Sequence, residues 1–148
     1  MKEPVREIQK FHVGIKAFIL NGQEELLLLR ETSTGQWELP GGRIDVGEEL
    51  KPQEDVLRRE LGEELGPDVR VKVGPLGLTW VRERKAGDFV FLVGRLCRFE
   101  SGVPTLSDEH DAWAWVAEKE LAGVDLAHGY REALAEFWRL PPGTRPKP

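Results

Sequence analysis

Three carboxylates, Glu60, Glu63 and Glu64, stand at spacings i, i+3 and i+4 behind a glycine-rich stretch, Leu39-Pro-Gly-Gly-Arg43. On an α-helix those spacings share one face. Like charges stacked there repel one another unless a cation lies among them. Carboxylate oxygens are the ligands that hard divalent ions prefer, and such ions commonly hold a substrate phosphate as well. The pattern therefore points to metal-assisted phosphate chemistry. Acidic residues at this spacing more often form a solvated helix face; the glycine loop in front of them is what argues for a site.

Several elements must position these groups. The helix is expected to begin near Pro52, whose missing N–H costs nothing in a first turn. Glu54 and Asp55 suit its positive end, Leu57, Leu61 and Leu65 form a core stripe, and Gly66-Pro67 ends it. Upstream, residues 11–20 read as a strand buried on both faces, Asn21-Gly22 as a turn, and residues 25–30 as the hairpin partner. Downstream, residues 69–73 and 76–81 read as strand interrupted at Gly74-Pro75, and residues 82–87 as a charged turn. Residues 88–99 read as a central strand, 112–116 as a short strand, 118–121 as a helical turn and 130–140 as an amphipathic helix. Residues 141–148 are expected to form a flexible tail. With no repeat and no linker, residues 1–148 read as one domain of the α/β (α+β) class, a mixed sheet flanked by at least two helices.

The 148 residues, 40% hydrophobic and 32% charged, are enough for one buried core. A formal net charge of −5 argues against nucleic acid as a partner. The single Cys97 rules out an internal disulfide framework. No apolar run approaches the roughly 18 residues of a membrane span, and the N-terminus lacks the apolar core of a signal peptide. The expectation is no membrane association and a cytoplasmic location. His12, in an apolar run, reads as a core histidine, and His110 and His128 lack the spacing of a metal pair.

Gly42, five residues, Glu48, and then Arg59-Glu-Leu-Gly-Glu-Glu-Leu-Gly66 resemble the signature of the Nudix hydrolases, G-x5-E-x7-R-E-U-x-E-E-x-G-U with U aliphatic. Trp37-Glu-Leu-Pro-Gly-Gly42 before it, and Ser107-Asp-Glu-His-Asp111 followed by Trp115-Val116, also resemble that family. There are two departures. Ten residues separate Glu48 from Arg59 where the family has seven, as though Lys51-Pro52-Gln53 were inserted, and Pro67 replaces an aliphatic residue. The extra residues are expected to bulge the loop, two lengthening it and one extending the helix, with the carboxylate face intact.

The resemblance implies an α/β/α sandwich with a mixed central β-sheet. It also implies Mg²⁺- or Mn²⁺-dependent cleavage, by water attack at phosphorus, of a nucleoside diphosphate linked to another group. A small nucleotide is then the partner, and homodimers are common in the family. Carried over by position, Glu60, Glu63 and Glu64 are ligands, joined by a carbonyl near Gly41 or Gly42. Glu63 and Glu109 are both candidates for the base, with Glu60 behind them, and Glu109 is alternatively a further ligand. Arg59 orients a neighbouring carboxylate, Glu48 being the pairing the family implies. Arg30 and Arg43 are candidates for phosphate contact, with surface ion pairing as the plainer reading. Trp37 is the tryptophan placed to stack on a base. The absence of subtype marks beyond the signature leans toward a nucleoside di- or triphosphate. ADP-ribose, nucleotide sugars and dinucleoside polyphosphates stay open as substrates, as does a non-catalytic nucleotide-binding role.

Overall fold

Nearly every residue of the first strand is buried, and its two faces serve two different cores. In the computed structural model, which describes residues 1–147, β1 (His12–Leu20) runs parallel to β6 (Asp88–Ser101) along its whole length, from His12 opposite Val90 to Leu20 opposite Arg98. Side chains alternate across a strand. Ile15, Ala17 and Ile19 accordingly join Leu27 and Leu29 of β2 (Leu26–Glu31) under Val56, Leu57, Leu61 and Leu65 of α1 (Gln53–Leu65). Phe18 and Leu20 join Leu28 under Leu134 and Phe137 of α2 (Tyr130–Arg139). Phe18 stacks on Phe137 with ring centroids 4.7 Å apart. Burying each such side chain contributes about 1.5–3 kcal/mol, so the sheet is fixed from both sides. The expected helix–sheet–helix layering is what forms.

The mixed sheet runs β3-β2-β1-β6-β5, with β3 at Trp37–Glu38 and β5 at Arg70–Lys85. Two further strands leave this path: β4 (Gly41–Arg43) pairs with β1, and β7 (His110–Val116) pairs with β2. Among the described residues the β1–β6 strand pairing is parallel and the other strand pairings are antiparallel, with one isolated parallel bridge between Trp37 and Leu126. Among the described residues no helix is long and apolar enough to cross a membrane.

Several expectations shift. Residues 70–85 form one edge strand, with register shifts around Gly74-Pro75 and again before Lys85. The interruption is therefore a bulge, a proline being tolerated on an edge. The charged run 82–85 is strand paired to β6, and only Ala86 and Gly87 (φ 78°) turn the chain. An edge strand carries exposed charges readily. The turn after β1 is wider than a two-residue loop. Asn21 Oδ1 accepts from the N–H groups of Gln23 and Glu25 at 2.9 and 3.0 Å, and Glu24 takes the positive φ of 57°. His12, read as a core residue, is exposed at the start of β1 beside Asp88. Residues 141–147 make specific contacts: Pro146 O accepts from Arg98 Nε at 2.9 Å, and Arg145 reaches Glu24 at 3.0 Å. Pro148, the end of the expected tail, lies outside the described residues.

Candidate active site

A gap in the sheet makes the site. β1 and β2 pair only where Leu20 meets Leu26 and diverge from there. The stretch Trp37-Glu-Leu-Pro-Gly-Gly-Arg43 spans the gap, pairing with β2 through β3 and with β1 through β4. Two glycines allow this close approach. Gly41 has φ 118°, and a Cβ there would stand 2.2 Å from Ile15 O; at Gly42 a Cβ would stand 2.4 Å from the carboxyl carbon of Glu60. The glycine loop thus lies directly against the acidic face of α1, and Gly41 N–H donates to Glu64 Oε2 at 2.8 Å.

The lengthened loop keeps its pairing. Arg59 Nε and Nη2 donate to the two oxygens of Glu48 at 2.7 and 2.6 Å, a bidentate pair. Of the three extra residues, Lys51 and Pro52 lie in the loop and cap and Gln53 opens the helix. Arg59 also meets Glu60 at 3.0 Å and Glu63 at 3.2 Å, so one guanidinium holds loop and helix face together. The Arg59 hydrogen bonds, followed by the N–H of Asp45, hold the Glu48 carboxyl down at about 2. A carboxyl depressed in the fold stabilises above its ordinary 4.5, and that contribution is lost as pH falls through the folded value. Glu48→Gln is therefore expected to lower the melting temperature at neutral pH, the gap to the parent chain closing between pH 4.5 and 2. Parallel melts across pH check this; a gap that ignores pH would rule the ion pair out as the cause.

Behind the loop lies a buried ionic chain. Lys16, the one charged residue inside β1, is 6% exposed and donates to Leu39 O at 3.1 Å and to Gly41 O at 2.8 Å. Its ammonium lies 3.9 Å from Glu38, which bonds His110 Nε2 at 2.9 Å. Burial opposes the charge on Lys16, but the fields of Glu38, Tyr130 and Glu64 outweigh it and its pKa is raised. Burial likewise works to raise Glu38, yet Lys16 and His110 hold it down at about 2. For Glu64 burial wins over Lys16 and the Gly41 N–H, pushing the carboxyl up to about 7. Burial also raises Glu60, against the pull of Arg59.

These groups open onto one cavity of about 740 Å³. Gly42, Arg43, Arg59, Glu60, Glu63, Glu64 and Glu109 all line it. Arg30 and Trp37 do not: Arg30 Nε donates to Asp111 at 2.7 Å and its guanidinium lies 5.7 Å from the Trp37 ring centre, while Trp37 packs on the core. Glu109 is brought in by its own backbone, Thr32 N–H donating to Glu109 O at 2.9 Å. Among the described residues the three acidic or histidine groups drawn together are Glu64, Glu109 and His110, with ligand atoms within 4.8 Å of one another. Glu60 and Glu63 share the wall but turn to Arg59.

The sequence reading missed Lys16, Glu38, His110, Arg82 and Arg84, which also line the cavity. Signals existed for some of them. A lone lysine in a doubly buried strand needs an ionised partner, and arginines two apart share a face once the strand is extended through them. Nothing local marks Glu38 and His110, which meet across 72 positions. The donor set fits a divalent cation: hard carboxylate oxygens on one wall, a glycine where a side chain would collide with Glu60, and a partly burying cavity.

The NUDIX domain family model matches residues 10–137. A human 8-oxo-dGDP phosphatase is 34% identical over 136 residues, 84% of this chain; the chain spans only 38% of that protein. The nucleoside triphosphatase NudI of Salmonella newport is 32% identical over 115 residues, covering 68% of this chain and 75% of its own. A solved MutT protein of Methanosarcina mazei superposes with a TM-score of 0.74 at 24% identity, over 90% of this chain and 97% of its own. The chain belongs to the Nudix family.

Proposed function

We propose that this Nudix-type hydrolase cleaves the phosphoric anhydride of a nucleoside di- or triphosphate by water attack at phosphorus, with Mg²⁺ or Mn²⁺ as cofactor. The observation that carries the reading is one cavity lined both by the carboxylates Glu60, Glu63, Glu64 and Glu109 and by Arg43, Arg82 and Arg84. A polyphosphate is a chain of anions, and such a cleft receives it between bound cations and guanidinium groups. Similarity to a phosphatase and a triphosphatase of nucleotides supports the same class.

Glu60, Glu63, Glu64 and Glu109 would hold the divalent ions, with a carbonyl of the Gly41–Gly42 loop as a further oxygen. When bound, such ions neutralise phosphate charge and polarise the phosphorus. Arg59 acts on its neighbours, fixing Glu48, Glu60 and Glu63 in one arrangement. Glu63, exposed, or Glu109, on the loop before β7, takes the proton of the attacking water. The new P–O bond forms as the bridging P–O bond breaks, and the departing phosphate oxygen keeps the electron pair beside the arginines.

Incubating the purified protein with Mg²⁺ or Mn²⁺ and a panel of nucleotides tests this. The panel holds nucleoside di- and triphosphates, 8-oxo-dGDP, ADP-ribose, nucleotide sugars and dinucleoside polyphosphates. Release of phosphate or pyrophosphate is expected to be fastest from the di- and triphosphates. Faster cleavage of a nucleotide sugar or dinucleotide would move the substrate assignment. Binding without turnover of any compound would make the domain a nucleotide-binding module.

A further inference from the structure

We infer that His110 supplies a nitrogen ligand which, with the carboxylates of Glu64 and Glu109, forms a mixed nitrogen–oxygen site for a divalent first-row transition ion. The inference rests on the divalent-ion reading above and narrows it.

Proximity is the first support: one ring nitrogen of His110 lies within 4.8 Å of a carboxylate oxygen of Glu64 and of Glu109. The second is an unpartnered atom. His110 is 4% exposed, yet among the described residues its Nδ1 has no hydrogen-bond partner. A buried polar atom left so is destabilising, and His110 is among the residues that line the cavity.

The third support is how the ring is held. Its other nitrogen, Nε2, stands 2.9 Å from Glu38 Oε1, and Glu38 is 8% exposed with Lys16 3.9 Å from its second oxygen. An ionised carboxylate only accepts, so Nε2 carries the hydrogen, and when the ring is neutral its Nδ1 keeps the lone pair. Metal-bound histidines are oriented in this way, donating the second ring N–H to a carboxylate. Glu38 and Lys16 are then positioning residues for the ligand. Glu64 gives one oxygen, Oε2, to the Gly41 N–H, leaving the other for an ion.

Donor chemistry sets the class of ion. Sites of carboxylate, carbonyl and water suit Mg²⁺, whereas an imidazole donor favours first-row transition ions. The rival arrangement is a doubly protonated His110 that serves only as a cation for Glu38 and Glu64: burial opposes that charge, but the Glu38 hydrogen bond and the Glu64 field outweigh it and raise the ring's pKa. It offers no lone pair, and an ion beside it would see oxygen alone.

Electron paramagnetic resonance of substoichiometric Mn²⁺ in the full chain separates the two. The expected result is a ¹⁴N coupling that becomes ¹⁵N in protein labelled at histidine and vanishes in His110→Gln. Calorimetric titration should show the variant losing on the order of 10-fold in Mn²⁺ affinity, with Mg²⁺ affinity changing less. The wild-type spectrum needs no variant, so misfolding of His110→Gln leaves the test decisive. Mn²⁺ bound without nitrogen coupling, or coupling that persists in His110→Gln, overturns the histidine ligand and leaves the proposed hydrolase intact. If Mn²⁺ does not bind the parent chain at all, both this inference and the divalent-ion reading fall.

Discussion

Replacing Glu64 with Gln is expected to cut nucleotide hydrolysis by on the order of 10²–10³-fold while the fold survives. The size follows from the several kcal/mol that charge stabilisation by a bound ion supplies, at about 1.4 kcal/mol per decade of rate. Survival of the fold has a local reason. The Gln side-chain oxygen still accepts the Gly41 N–H that now lies 2.8 Å from Glu64 Oε2. Burial already pushes the Glu64 carboxyl up to about 7, so a neutral group costs little there. The sign of the pH effect follows. In metal-free protein, ionising Glu64 works against the fold as pH rises from its ordinary 4.5 through 7, so the variant should gain in relative stability over that range. Steady-state kinetics with melts in parallel read both effects. Turnover within about threefold of the parent would remove Glu64 from the site, because a directly acting ligand is worth several kcal/mol.

Lys16→Met is expected to destabilise the chain by about 3–5 kcal/mol, the cost of leaving a buried charge without its partner. The Lys16 ammonium joins three acceptors, the Glu38 carboxylate and the carbonyls of Leu39 and Gly41. Methionine keeps the bulk but none of the donors, so Glu38 and both carbonyls lose their cation where Lys16 is only 6% and Glu38 8% exposed. Adding Glu38→Gln should recover part of the loss by removing the stranded charge. Urea unfolding of the single and double variants measures it. A loss below about 1 kcal/mol, the ordinary cost of a substitution, would mean that the buried chain does not hold the loop.

Much of this protein was legible in its sequence, because much of it is local. Leu57, Leu61 and Leu65 repeat every four residues and do line the core face of α1. The alternation of residues 12–20 between two cores needs only that a strand places successive side chains on opposite faces. Gly42 and Glu60, Glu63 and Glu64 lie together because one loop leads into one helix. Glu48 still reaches Arg59 despite the longer loop, since the extra residues fall before the carboxylate-bearing turns.

What the sequence left undecided depends on pairings between distant residues. Edge or centre, turn or strand, was settled by partners: residues 82–85 look like a loop from their charges and become strand through hydrogen bonds to β6. Arg30 and Trp37 read as site residues from their nearness to the glycine loop. They face instead toward Asp111 and the core, because alternation on β2 and β3 turns them away from the cavity. His110 offered no metal-pair spacing, yet it meets Glu38 across the sheet and stands beside Glu64. The sequence by itself determined the acidic helix, the glycine loop and the family they belong to, since neighbouring residues with a fixed period write those directly. Only the tertiary structure decided that Lys16, Glu38 and His110 stand behind them. Burying a charge requires a partner, and the chain supplied each partner from a different strand.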